Sequence, residues 1–168
     1  HAACFLPIED YPLQRRFMLD GVRGWQDARP WIEAHRELVD GILARIRAEG
    51  GLRSADFEAK KPAGGWWNWK DEKVAMEVLF VTGDLMVARR DKFQRVYDLP
   101  ARVLPGWEQL PVPSADAVRR ELVLRSVEKL GAARPGWVAD YYRLPKNGMP
   151  ALLRELAAQG ELIECAVE

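Results

Sequence analysis

The chain is poor in cysteine and histidine, has no excess of charge of either sign, and contains no long apolar run. Its two cysteines, Cys4 and Cys165, stand near opposite ends of 168 residues. They can bridge only if the termini meet, so reduced thiols of the cytoplasmic kind are expected. With two histidines and no Cys/His cluster at ligand spacing, no zinc signature is present. Lys+Arg 25 against Asp+Glu 25 gives a net charge of zero, which excludes a polybasic tail and any global pull on nucleic acid. A nucleic-acid role must then rest on local basic patches. No stretch of about 18 apolar residues suggests a membrane span. The start, His1 to Leu13, lacks the basic and apolar regions of a signal peptide. It also lacks a Met, which reads as a cut or processed start. A Gly-rich phosphate loop and a Ser/His/Asp arrangement are both missing. The acidic residues Glu9-Asp10, Asp71-Glu72 and Asp84 are each explained by caps or loops.

What is present is a globular balance, with 48% apolar and 30% charged residues. The length suits one domain or two of roughly 80 residues. Pro7 and Pro12 make the opening, His1 to Gln14, read as irregular, with one helical turn at Arg15 to Leu19. A long helix is expected from Pro30 to Gly50-Gly51, with Trp31, His35, Leu38, Val39, Ile42 and Ile46 on one stripe of period 3.6. His35 on that stripe reads as structural. A short helix follows at Ser54 to Phe57, then a Gly- and Trp-rich loop. A third helix, Glu72 to Thr82, has Val74, Ala75, Val78 and Leu79 inside and is stopped by Gly83. Strands at Leu85–Ala88 and Phe93–Asp98 flank Arg89 to Lys92. Three helices and a hairpin, in that order, form a winged helix.

Four prolines between Leu99 and Pro113 suggest a stiff connector. Ser114 then caps a helix to Leu130, with Val123, Val127 and Leu130 on one face. Further helices are expected from Pro135 to Tyr142 and from Pro150 to Gly160, and a strand from Leu162 to Val167. Met76, Leu79, Gly83 and Leu85 recur as Leu153, Leu156, Gly160 and Leu162, always 77 positions on. This repeat supports tandem winged helices, the second ending mid-wing.

Two basic regions are candidate contacts. From Met86 to Arg102, five basic residues oppose two acidic ones. Arg89, Arg90, Lys92 and Arg95 suit phosphates, and Gln94 and Tyr97 add neutral donors. The same charges also suit a sheet edge protected against pairing. The second region sets Lys60, Lys61, Lys70 and Lys73 among Trp66, Trp67 and Trp69. These rings can stack on exposed bases or fill the space between helices.

Residues Gly65 to Pro105 read GWWNWKDEKVAMEVLFVTGDLMVARRDKFQRVYDLPARVLP. This run resembles the bacterial crosslink-repair DNA glycosylases, the family that includes the azinomycin-resistance glycosylases. The run from Phe93 to Leu99, with Arg102 to Pro105, is its most specific part, and His1 to Ile8 is similar to a further family segment. The resemblance implies tandem winged helices around damaged duplex DNA, followed by a small β-barrel. It implies hydrolysis of the N-glycosidic bond of alkylated or crosslinked purines by water, with no metal and no cofactor. The family's catalytic signature is Gln, an aliphatic residue, then Gln or Asp, and it lies upstream of the segment matching His1. None of Gln14, Gln26, Gln94, Gln109 and Gln159 has those neighbours. A glycosylase needs such a group beside the departing sugar and its water. The chain is therefore expected to be an inactive middle piece, cytoplasmic and nucleoid-associated.

The expected fold is α+β, mainly helical, with tandem winged helices. Residues 1–28 form an irregular lead-in, 29–105 one winged helix, 106–113 a linker and 114–168 a second winged helix, truncated in its wing. The expected partner is double-stranded DNA, damaged duplex included, with no membrane. The expected contacts are Arg89, Arg90, Lys92, Gln94, Arg95, Lys70, Lys73 and Trp66, with no catalytic residue and no metal ligand. One alternative is a transcription regulator, which the outer face of helix three (Glu72, Lys73, Glu77, Thr82) serves poorly. Another is a protein-interaction module without enzymatic activity.

Overall fold

A computed structural model describes residues 7–20, 28–57 and 71–166. The described chain is mainly helical, with one two-stranded antiparallel sheet, an α+β make-up. It divides into two compact units, His1–Val112 and Pro113–Glu168.

In the first unit the opening is more regular than its prolines suggest. A single 3-10 turn, Ile8–Asp10, leads into α1 (Tyr11–Asp20). Pro12 falls in the first turn, where a missing N–H breaks no helical bond. The long helix expected from Pro30 is instead two, α2 (Ala28–Ala34) and α3 (Arg36–Glu49). His35 makes the break, at φ −120° and ψ 30°. Its Nδ1 lies 2.9 Å from the Trp31 carbonyl oxygen, which also accepts the His35 N–H at 3.1 Å. A side chain that competes for a ladder carbonyl interrupts the helix there. The predicted stripe survives the break, with Val39, Ile42 and Ile46 all buried.

After a 3-10 turn at Ser54–Phe57 comes α4 (Asp71–Thr82), the expected third helix. Ala75, Val78 and Leu79 are buried as predicted, while Met76 takes the place of half-buried Val74. Gly83, at φ +87°, ends the helix in a conformation that favours glycine. The hairpin follows as β1 (Met86–Asp91) and β2 (Gln94–Asp98). The loop expected at Arg89 to Lys92 is shorter and lies further on. β1 runs through Arg89, Arg90 and Asp91, and the loop is Lys92-Phe93 alone. Leu52 pairs with Tyr97 on the far edge of β2, N–H to O at 2.9 and 2.8 Å. β2 therefore has a neighbour on both sides.

The core of this unit joins Ile42 and Ile46 of α3 to Met76 and Leu79 of α4, with Leu85 and Tyr97 closing it. Burying a side chain of this size is worth about 1.5–3 kcal/mol. The proline-rich stretch is not a plain connector. Pro100 starts a short helix, α5 (Pro100–Val103), and a 3-10 turn spans Trp107–Gln109.

The second unit holds α6 (Ala115–Leu130), α7 (Pro135–Tyr141) and α8 (Met149–Ala158). Ser114 caps α6 as expected, its Oγ accepting the Ala117 N–H at 3.1 Å. The buried row on α6 is Val118, Leu122 and Ser126, with Val123 beside it. Val127 is half-buried and Leu130 exposed, so the row expected through Val123, Val127 and Leu130 is displaced around the helix. Ser126 explains the error. Its hydroxyl donates to the Leu122 carbonyl at 2.7 Å, so a polar residue sits inside at little cost. The strand expected from Leu162 is not seen over 161–166, where the described residues provide no partner strand.

The two repeat copies share one turn and then part. Gly83 and Gly160 have φ +87° and +79°, and each donates to the carbonyl three residues back, Phe80 and Ala157. Beyond them Leu85 is buried, whereas Leu162 is half-buried. Their surroundings differ as well. A Cβ on Gly83 would lie 3.1 Å from Met18 Sδ of α1, while one on Gly160 would meet nothing within 4 Å.

Candidate nucleic-acid interface

The hairpin is fixed at its root and bare at its tip. Its register pairs Val87 with Tyr97, slips by a bulge at Ala88, and then pairs Arg89 with Val96, Arg90 with Arg95, and Asp91 with Gln94. Val96 and Tyr97 are consecutive and both buried, so both faces of β2 are covered at that level. Tyr97 enters the α3–α4 core, and a Val96 methyl closes on Gly51. The tip is the two-residue loop, with Lys92 at φ +46° and Phe93 at φ +68°. Two positive φ angles are what a tight hairpin of this twist requires, and Asn-Gly usually supplies them. Residues with a Cβ are held there at a cost of about 1–2 kcal/mol each.

Neighbouring side chains brace this tip. Arg90 donates to the Phe93 carbonyl at 3.2 Å, and Arg53 donates to the Asp91 carboxylate at 3.0 Å. Arg53 is in turn bound to Asp56 at 2.8 Å. Its side-chain and backbone hydrogen bonds hold the Asp56 carboxyl below its ordinary pKa.

The hairpin cations divide by what they touch. Arg102 turns back to the end of α3, donating to the carbonyls of Ile46 at 2.9 Å and Arg47 at 2.6 Å. Arg95 is half-buried; it donates to the Tyr97 hydroxyl at 3.2 Å, lies 3.6 Å from Glu77 and sits 5.5 Å above the Phe80 ring. The Tyr97 bond raises the Arg95 pKa further, while burial pushes the Tyr97 hydroxyl up against the pull of Arg95. Arg89, Arg90, Lys92 and Gln94 are exposed. Arg90 faces Arg95 across the strands, and like charges so placed repel unless an anion joins them. Three exposed cations therefore stand near the tip beside a neutral donor, Gln94.

Lys73 is exposed in the first turn of α4. Lys70 and Trp66, with Lys60, Lys61, Trp67 and Trp69, lie outside the described residues. His35 is stacked on Trp31 at 4.1 Å and has the structural place expected of it. Phe93, expected at the start of a strand, is 95% exposed at the tip. Lys-Phe carries no turn signal, so nothing in the sequence marks that position. Among the described residues no group of three or more His, Cys, Asp or Glu is placed to hold a metal ion. Among them, too, no helix is long and apolar enough to cross a membrane.

The model of the family described as DNA glycosylase AlkZ-like matches residues 1–168. No solved structure matches the chain.

Proposed function

Because the chain belongs to the AlkZ-like DNA glycosylase family, a role in DNA repair follows, and we propose that these residues grip duplex DNA for an enzyme that removes alkylated or crosslinked purines. In this reading α2 to β2 form one winged helix, with the β1–β2 hairpin as its wing. The second unit, built on α6, α7 and α8, supplies the helices of a second winged helix truncated in its wing, joined through the stretch around 106–113. Arg89, Arg90 and Lys92 bind phosphates, and Gln94 adds a neutral donor to phosphate or sugar. Arg95, one pair behind the tip pair of Asp91 and Gln94, reaches the same backbone while Glu77 and Tyr97 hold it in place. Lys73, in the first turn of α4, and Lys70, three residues before it in the sequence, add phosphate contacts, and Trp66 stacks at the lesion. The sequence has no Gln–aliphatic–Gln/Asp run, so the proposal assigns to this chain the grip and not the bond cleavage.

The observation that carries this reading is the sorting of charge on the hairpin. Arg102 and Arg95 bind within the protein, Asp91 is engaged by Arg53, and Arg89, Arg90 and Lys92 are exposed, Arg90 while donating to the Phe93 carbonyl. A salt titration of duplex binding tests it. The four hairpin cations alone give a log–log slope near −3.6, which Lys70 and Lys73 steepen toward about −5.4, the same for unrelated sequences. Absence of duplex binding at low salt would falsify the reading. A strong preference for one sequence would instead favour a regulator that reads base edges.

A further inference from the structure

We propose that the exposed face of α7 binds single-stranded DNA, with unpaired bases stacked on Trp137 and Tyr141 and a phosphate held by Arg134. The site lies in the second unit. It goes beyond the duplex grip proposed for the hairpin and does not depend on it.

One side of α7 is buried and the other is bare. Val138 and Ala139 are fully buried and tie the helix to its unit. Trp137 and Tyr141 are 58% and 46% exposed. Residues four apart share a helix face, so two large rings stand side by side in solvent. Tryptophan is mostly buried in folded chains, and large apolar groups exposed together mark binding surfaces. Both rings have a neighbour. Tyr141 packs edgewise on half-buried Tyr142, with ring centres 4.9 Å apart. The Arg134 guanidinium lies 5.7 Å from the centre of the Trp137 ring, so cation and ring form one unit.

This arrangement selects a planar, anionic ligand. Arg134 is exposed and makes no ion pair with a described residue. From Arg134 to Lys146 the sequence holds three basic residues and one acidic one, Asp140, which Lys146 already holds at 2.9 Å. The surplus is positive. An apolar partner would strip water from Arg134 and give it no counter-charge. A nucleotide supplies both parts, a base for the ring and a phosphate for the guanidinium. In a duplex each base face is covered by its neighbours, so the bases that reach these rings are unpaired. The chain belongs to a family of DNA glycosylases, which makes a DNA strand the occupant. An aromatic ring stacks on any base, so the site needs no particular sequence.

The test uses the full chain and a fluorescein-labelled thymidine strand of about 12 nucleotides, with binding read by anisotropy at low salt. Trp137→Ala and Tyr141→Ala should each weaken binding about tenfold. Trp137→Phe, which keeps a ring, should stay near the wild-type affinity. Arg134→Ala should flatten the log–log salt slope by about 0.7, the share of one phosphate on a single strand. Replacing Arg89 and Arg90 with Ala should leave the loss caused by Trp137→Ala intact, since the two sites are separate. Both rings are about half in solvent, and thermal melting checks that the variants fold. Unchanged affinity in Tyr141→Ala together with an unchanged slope in Arg134→Ala would overturn the site, whatever Trp137→Ala does to folding. Displacement of the strand by polyglutamate as readily as by unlabelled thymidine strand would overturn it too, and would assign the face to an acidic protein segment. Tighter binding of a uridine strand would assign it to RNA instead. Failure of the wild type to bind the strand would end the inference and leave the duplex grip standing.

Discussion

Arg102 and Arg89 look alike in the sequence and differ entirely in place. Arg102 lies four residues beyond the hairpin and binds the last carbonyls of α3, where a helix end is negative. It also meets Asp98 at 3.2 Å. Arg102→Ala should cost about 1 kcal/mol, the low end for a charged donor because the side chain is partly exposed. Arg102→Lys should recover less than half of that, since one ammonium cannot span two carbonyls as a guanidinium does. Urea unfolding of the three proteins measures both effects, and an unchanged midpoint in the alanine variant would remove Arg102 from the α3 cap. Sequence reasoning counts Arg102 with the hairpin charge because its partners, Ile46 and Arg47, are more than fifty residues away. The exposed arginines and Lys92 are legible, since a hairpin tip must lie outside. Phe93 is not, because its left-handed backbone is imposed by the pairing on either side.

At the scale of elements, the sequence is clearest where glycine and apolar spacing agree. α4, Gly83 and the hairpin follow in the expected order, as do the cap and end of α6. The misses have local competitors that a period cannot register. The His35 ring takes a ladder carbonyl and splits one helix into two, and Ser126 satisfies itself inside a row expected to be apolar. The glycine turns offer a direct comparison. Gly83→Ala and Gly160→Ala both force a Cβ into positive φ, at about 1–2 kcal/mol each. Only Gly83 has a neighbour in the way, Met18 Sδ at 3.1 Å. Gly83→Ala should therefore be the more destabilising by roughly 0.5–1 kcal/mol. Equal losses in urea unfolding would mean that α1 does not press on this turn.

For the whole molecule, the neutral balance of 25 against 25 is a constraint on how it meets a polyanion. A chain of zero net charge has no monopole to draw DNA in, so in the proposed grip attraction comes from local cations and fades quickly with salt. Replacing Arg89 and Arg90 together with Ala should flatten the salt slope by about 1.8 and weaken unrelated duplexes alike. Loss confined to one sequence would mean base reading rather than phosphate contact. The make-up of the fold, helical with one small sheet, is legible from apolar period and turn residues. The family is legible from the run between Gly65 and Pro105. The path around 99–113 is less so, because proline starts short helices as readily as it ends long ones.

The loop at Lys92-Phe93 has a practical corollary for anyone seeking a hardier version of this protein. A screen that rewards heat resistance alone would favour Asn-Gly at those two positions. The product would tolerate more heat and pass every assay of solubility and folding, yet it would carry one cation fewer at the tip and, on the proposed reading, hold duplex DNA less well.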